Sequence, residues 1–149
     1  MAITSYLTPA EADIILDQLM DVNAFASFTV QDKQRALNSA TVAFNNLAYT
    51  GDKSVDAQSN EFPRNGDIVA PDDFLMAVAI EAYTLLDGKQ PETEWSSQFM
   101  QSQDFSGVSS RYDRSSREPN IISGIMSIQS WMLVKKYLAD YQNLTLENV

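Results

Sequence analysis

Three segments of the chain begin with a helix-start signal and continue with apolar residues at helical spacing. At 8–11 and at 29–32 a threonine is followed three residues later by an acid, and at 71–73 a proline precedes two aspartates. The apolar positions that follow recur every three to four residues. This pattern predicts helices from 9 to Met20, from 30 to near Gly51 and from 71 to a C-terminal cap at Gly88.

Two long segments between the predicted helices lack any apolar period. Residues 52–70 are polar, with Phe62 as their one large apolar side chain, and are predicted to form a long surface loop. Residues 89–119 are rich in Ser and Gln with isolated aromatics. Within them 105–112 alternate partly, which favours an extended segment or a hairpin too polar for the core.

The last segment, 121–138, is apolar around more than one helical stripe. It predicts a terminal helix that contacts partners on several sides, part of its surface meeting another subunit. Trp131, Met132 and Tyr137 are its candidate core or interface residues.

Together these patterns predict a mainly α fold. We expect a small bundle of about four helices with a long loop. Before the C-terminal helix we expect an extended arm, either as a single extended segment or as a β-hairpin. The expected organisation is one domain: a core at 1–90, an arm at 91–120, and a C-terminal helix with a docking tail at 121–149.

Composition removes several classes of chemistry. The 149 residues include no Cys and no His, so thiolate nucleophiles, imidazole bases, zinc sites and haem sites are not expected, and no cofactor is assigned. The formal net charge of −10 argues against a duplex-DNA reader. No secretory leader and no apolar run of about 18 residues is present, so we expect synthesis in the cytoplasm and no membrane contact.

Two acidic groups are candidate sites. Asp13, Asp17 and Asp21 fit a divalent-cation site but fit a solvated helix face better. Asp72 and Asp73 fit the catalytic pair of a hydrolase, yet acids are common in the first turn of a helix because they complement its dipole. We therefore assign no metal ligand and no catalytic residue.

The arginines are distributed unevenly. Arg111, Arg114 and Arg117 are three of the five in the chain and lie among Phe105 and Tyr112. This basic cluster fits docking onto an acidic protein, a second copy included, and it also fits stacking and pairing with single-stranded nucleic acid.

The order of residues in the second predicted helix and the loop after it resembles a known family. The residues that carry the resemblance, over roughly 3–90, are Arg35-Ala36-Leu37, Ala40-Thr41, Phe44, Leu47, Tyr49-Thr50-Gly51-Asp52-Lys53, Gln58, Phe62-Pro63-Arg64, Gly66, Pro71 and Ala77. Residues 91–149 match only in outline. The chain is similar to the head–tail connector (adaptor or head-completion) proteins of tailed bacteriophages, a group often labelled DnaT-like single-stranded-DNA-binding proteins.

The resemblance implies assembly without catalysis. It implies a ring of twelve copies in the neck of the virion, bound to the portal on one side and to tail or nozzle proteins on the other, with genomic double-stranded DNA passing through. Gly51 and Pro63 would then fix the path of the loop, and Arg64 would anchor it. An acidic channel wall would repel phosphates and let DNA slide. The alternative is a replication accessory protein that binds single-stranded DNA.

Overall fold

The computed structural model describes residues 2–19, 23–98, 102–111 and 118–139. Its elements, in chain order, are α1 (Pro9–Leu16), a 3-10 helix (Asn23–Ser27), α2 (Val30–Asn45), α3 (Asp72–Leu86), α4 (Pro91–Ser97), β1 (Ser102–Phe105), β2 (Val108–Arg111), α5 (Pro119–Ile122), α6 (Ile128–Val134) and a 3-10 helix (Lys135–Tyr137). The fold is mainly α, as predicted, with a long loop between α2 and α3 and a β-hairpin before the last helices. None of the helices in these ranges has the length and apolarity that crossing a bilayer requires.

The first two helices start where the capping signals predict. Glu11 donates its backbone N–H to the Thr8 hydroxyl, and the Glu11 carboxylate accepts from the Thr8 backbone, which completes a capping box. Thr29 accepts the backbone N–H of Asp32 in the same way. α1 ends at Leu16, earlier than predicted, because the N–H groups of Gln18 and Leu19 turn to tighter i−3 bonds. Met20 lies outside the described residues.

Helix α3 is the centre of the core. It packs against α2, α6 and α1, and its middle turns from Ala77 to Ala82 are buried. Phe74, at its N-terminal end, is fully buried and makes edge contacts with Tyr6 and Phe44. The C-terminal end is capped as expected: Gly88 has φ +98°, and the N–H groups of Gly88 and Lys89 donate to Leu85 and Thr84 in a Schellman motif.

Helix α2 ends earlier than predicted. It stops at Asn45 rather than near Gly51, because the residues that follow pair with the C-terminal segment. Thr50 donates its N–H to the carbonyl of Tyr137, and Ala139 donates to that of Ala48, around a bridge between Tyr49 and Leu138. These partners lie almost 90 positions away in the chain, so no local sequence pattern predicts that α2 ends at Asn45.

The prediction of an extended arm at 91–120 is wrong for its first residues and right for the hairpin. Its first residues form α4 rather than an extended chain, with Pro91 at the first helical position and acids in the first turn. The hairpin is present at 102–111, with Phe105 paired to Val108 beside a two-residue turn. Ser106 and Gly107 both have positive φ, 50° and 85°, as a type I′ turn requires.

The single terminal helix predicted for 121–138 is wrong. The chain forms α5 and α6 separated by a break at 123–127, where Gly124 adopts φ +84°. Ile125, Trp131, Val134 and Leu138 join the hydrophobic core, whereas Ile121 and Met126 are buried outside it, next to α4. The excess apolar surface is thus largely covered by the chain itself, while Ile128 and Met132 stay more than half exposed.

Candidate functional site

Arg64 ties together two parts of the α2–α3 loop. Its side chain is buried, its Nε donates to the carbonyl of Thr50 at 3.0 Å, and its Nη2 donates to the carbonyl of Gly51. Its Nη1 donates to the Glu61 carboxylate at 2.7 Å and to the Glu61 carbonyl at 3.2 Å. Glu61 also pairs with Lys53 at 3.0 Å. One planar guanidinium therefore joins residues 50–51 to residue 61.

Gly51 lies at the turn that Arg64 holds. Its φ of +74° belongs to the left-handed region, which side chains with a Cβ occupy at a cost of about 1 to 2 kcal/mol. A Cβ there would also displace the side-chain amide of Asn65, whose Oδ1 would be 1.9 Å away. The path of the loop thus favours glycine at this position.

Phe62 anchors the same loop to the bundle. It is 5% exposed and stacks on Phe74 with ring centroids 4.0 Å apart, and Tyr49 and Tyr137 meet it edge-on. The bond between Phe62 and Pro63 is cis. The aromatic residue that the sequence places in a polar surface loop therefore belongs to the core.

The Tyr6 hydroxyl supports the backbone next to Phe62. It accepts the N–H groups of Glu61 and Phe62 at 3.0 and 3.2 Å and donates to the side chain of Asn45. Burial raises the pKa of Tyr6 to about 12, although the two backbone donors oppose this shift. The hydroxyl thus remains a neutral structural link at physiological pH.

Asp73 is engaged in a structural contact rather than left open for catalysis. Its carboxylate accepts from the Tyr137 hydroxyl, the Lys136 ammonium and the backbone N–H of Phe74. Burial opposes its ionisation, but the hydrogen bonds from Lys136 and Tyr137 prevail and lower the pKa of Asp73. Burial and the bond to Asp73 raise the pKa of Tyr137. Asp72, its neighbour, is exposed.

The acidic side of α1 is not simply a solvated face. Asp13 accepts the ammonium of Lys33 at 2.7 and 3.0 Å, and Lys33 is only 4% exposed. Asp17 is exposed, and Asp21 lies outside the described residues. Within the described ranges, no group of three or more acids is placed to hold a metal ion.

The remaining candidates separate into core, surface and hairpin. Trp131 is 3% exposed and belongs to the core, whereas Met132 beside it is 55% exposed. Phe105 ends β1 and Arg111 ends β2, at opposite ends of the hairpin. Tyr112, Arg114 and Arg117 lie outside the described residues.

Two buried polar residues that the sequence patterns do not single out accept hydrogen bonds from the backbone of the C-terminal half. Glu81, fully buried in α3, accepts the backbone N–H groups of Met126 and Ser127. Gln98, also buried, accepts the backbone N–H of Glu118 at 3.1 Å. The sequence feature that indicates a special role for Glu81 is its position as the single charge within the apolar run of α3. No sequence feature indicates the role of Gln98.

The elements thus form a loop anchor, built around Arg64 and Phe62, and a hairpin that follows α4 in the chain. Comparison of the chain with protein-family models, with curated proteins and with solved structures found no match.

Proposed function

We propose that this chain is a structural subunit of a phage head–tail connector, one of the copies of a ring between portal and tail. The observation that carries the proposal is the hairpin at 102–111, which lies in the chain between Gln98 and Glu118, two residues joined by a hydrogen bond. Among the described elements, the contacts of β1 that are numerous are those with β2. A polar hairpin of this kind is suited to contact a neighbouring molecule.

The loop anchor supports the same function. The residues with the sharpest resemblance, Phe62-Pro63-Arg64, hold the α2–α3 loop on the bundle through buried aromatic and guanidinium contacts. These are architectural contacts. The net charge of −10 suits a wall past which DNA slides, because like charges repel phosphates.

The test is the mass and shape of the purified protein, alone and mixed with the portal protein of the same virion. Multi-angle light scattering and negative-stain imaging should give rings, either alone or on the portal. A protein that stays monomeric in both samples would overturn the proposal.

Single-stranded-DNA binding is the second candidate, and the hairpin is again what favours it. Phe105 and Arg111 lie at opposite ends of one two-stranded ribbon, and aromatic residues and cations along a ribbon suit exposed bases. A salt-sensitive affinity for oligonucleotides, weakened by Arg111→Ala and Arg114→Ala, would support this function. Binding that is absent at low salt would exclude it.

A further inference from the structure

Two adjacent apolar residues, Ile68 and Val69, lie in the α2–α3 loop shortly before α3, and we call them the tip. Ile68 is 93% exposed and Val69 is 71% exposed, and Ile68 is the most exposed large apolar residue in the part of the chain that the structure describes. Single apolar residues scattered over a surface are normal, whereas neighbouring ones mark a surface that another molecule covers. The tip is therefore suited to be buried against a partner.

The loop holds the tip in place before any partner binds. The N–H of Gly66 donates to the hydroxyl of Ser54 at 3.1 Å, and the N–H of Asp67 donates to the carbonyl of Arg64 at 3.1 Å. Arg64 is itself part of the loop anchor, and α3 begins at Asp72. The tip thus lies between two fixed points. A segment fixed in this way loses little conformational entropy when it binds.

The loop that carries the tip is acidic. Residues 52–72 contain five acids and two bases, so their formal charge is −3. Both bases pair with one acid, because Lys53 and Arg64 contact the two carboxylate oxygens of Glu61 at 3.0 and 2.7 Å. The remaining acids of the loop are aspartates that these bases do not neutralise.

Two of these aspartates flank the tip. Asp67 and Asp72 are exposed, and neither forms an ion pair with another residue that the structure describes. They also border an open cleft of about 560 Å³ that residues 66–72 line. A partner that covers the tip therefore meets a carboxylate on either side of the two apolar side chains.

This charge favours a partner other than a second copy. The chain has a net charge of −10, and six of its ten Lys and Arg residues are joined to carboxylates of the same molecule. Nucleic acid has the same sign of charge as the loop, so its phosphates would be repelled. The complementary surface is an apolar pocket bordered by Lys or Arg on a different protein.

We propose that the tip docks into such a pocket on a neighbouring protein of the neck. The proposal rests on the proposed function, in which the neighbours are the portal and a tail-side protein. Ile68 and Val69 would fill the pocket, while Asp67 and Asp72 would pair with the basic side chains at its border.

The test measures the affinity of the full-length chain for the portal protein and for the tail-side protein of the same virion, each immobilised separately. The tip variant carries Ile68→Ser and Val69→Ser. The matched control carries Ile14→Ser and Val30→Ser, which remove the same two side-chain types at positions 64% and 70% exposed on α1 and α2. Thermal unfolding of both variants checks that they fold.

We expect the tip variant to lose at least about tenfold in affinity for one of the two proteins, because two apolar side chains are no longer buried. The control should stay within about twofold of the wild type. The wild-type affinity should fall as salt is added, and Asp67→Asn should weaken binding and reduce this salt dependence. Asp67→Asn leaves the tip itself intact, so it tests the contact independently.

A tip variant that binds both proteins as the wild type does would overturn the docking contact and leave the connector function standing. A wild-type affinity that does not fall with salt would overturn the basic partner. Rings that the wild type forms alone and the tip variant does not would assign the tip to a second copy and overturn the proposal. If the wild type binds neither protein the docking is overturned, and if it also forms no rings the connector function is overturned with it.

Discussion

The carboxylate of Glu81, in the middle of α3, accepts a hydrogen bond of 2.8 Å from the backbone N–H of Met126. Its second oxygen accepts one of 2.9 Å from Ser127, the N-cap of α6. These bonds satisfy the backbone at the break between α5 and α6, where the N–H groups have no helical partner. A single buried side chain thus holds the start of α6 on the central helix.

Glu81 makes the stability of the protein depend on pH in a defined direction. Burial raises the pKa of Glu81, and the two N–H donors oppose this shift only in part. The folded state therefore binds the Glu81 proton more tightly than the unfolded state does. The stability that this proton contributes is complete below the unfolded pKa and is lost as pH rises through the folded pKa. The free energy of unfolding of the wild type, relative to Glu81→Gln, should therefore fall between about pH 5 and about pH 8.

Urea denaturation of both proteins at these two pH values measures the effect. Glu94→Gln, a change at a partly exposed carboxylate on α4, is the control and should show no such trend relative to the wild type. A Glu81→Gln protein whose stability runs parallel to that of the wild type would contradict the assignment.

Helix starts could be predicted from the sequence because their signals are local. Thr8, Thr29 and Gly88 make the contacts that their neighbours in the chain imply. The turn at Ser106 and Gly107 is equally local. The end of α2 could not be predicted, because it depends on pairing with residues 137–139.

The anchoring role of Arg64 could be anticipated only from the resemblance, and neither its partners nor the burial of Phe62 could be anticipated. The Arg64 guanidinium uses backbone carbonyls as well as a carboxylate, and carbonyl positions leave no trace in sequence. The break at 123–127 could not be predicted, because the residues before and after it are apolar around more than one helical stripe. Glu81 satisfies that break from another helix, so it becomes visible only in three dimensions.

Phe62 should contribute strongly to stability despite its place in a polar loop. Its stack on Phe74 and its edge contacts with Tyr49 and Tyr137 are lost in Phe62→Ala, which should destabilise the protein by about 3 to 5 kcal/mol. Val69→Ala, at a 71% exposed position of the same loop, should change the free energy of unfolding by less than about 0.5 kcal/mol. Equal effects in urea denaturation would show that the loop is not anchored through Phe62.

Arg64→Lys should not behave as a conservative change. An ammonium is a single point of charge and cannot reach Thr50, Gly51 and Glu61 at once, so we expect a loss of about 2 kcal/mol. Arg35→Lys is the matched control, because Arg35 also pairs with an acid three positions earlier but its side chain is 69% exposed. That change should stay within about 0.5 kcal/mol. Thermal unfolding compares the two, and a tolerated Arg64→Lys would contradict the anchor.

Asp13 should matter more than the other acids of α1, because its partner Lys33 is buried. In Asp13→Asn the ammonium loses its charged partner, and we expect a loss of about 2 kcal/mol. This is smaller than the effect of breaking a fully buried pair, since the Asp13 side chain is 35% exposed. Asp17→Asn, one turn further along at an exposed position, should leave stability within about 0.5 kcal/mol. If both variants unfold at the wild-type urea concentration, the acidic side of α1 is a solvated face after all, and the Lys33 contact carries no net stability.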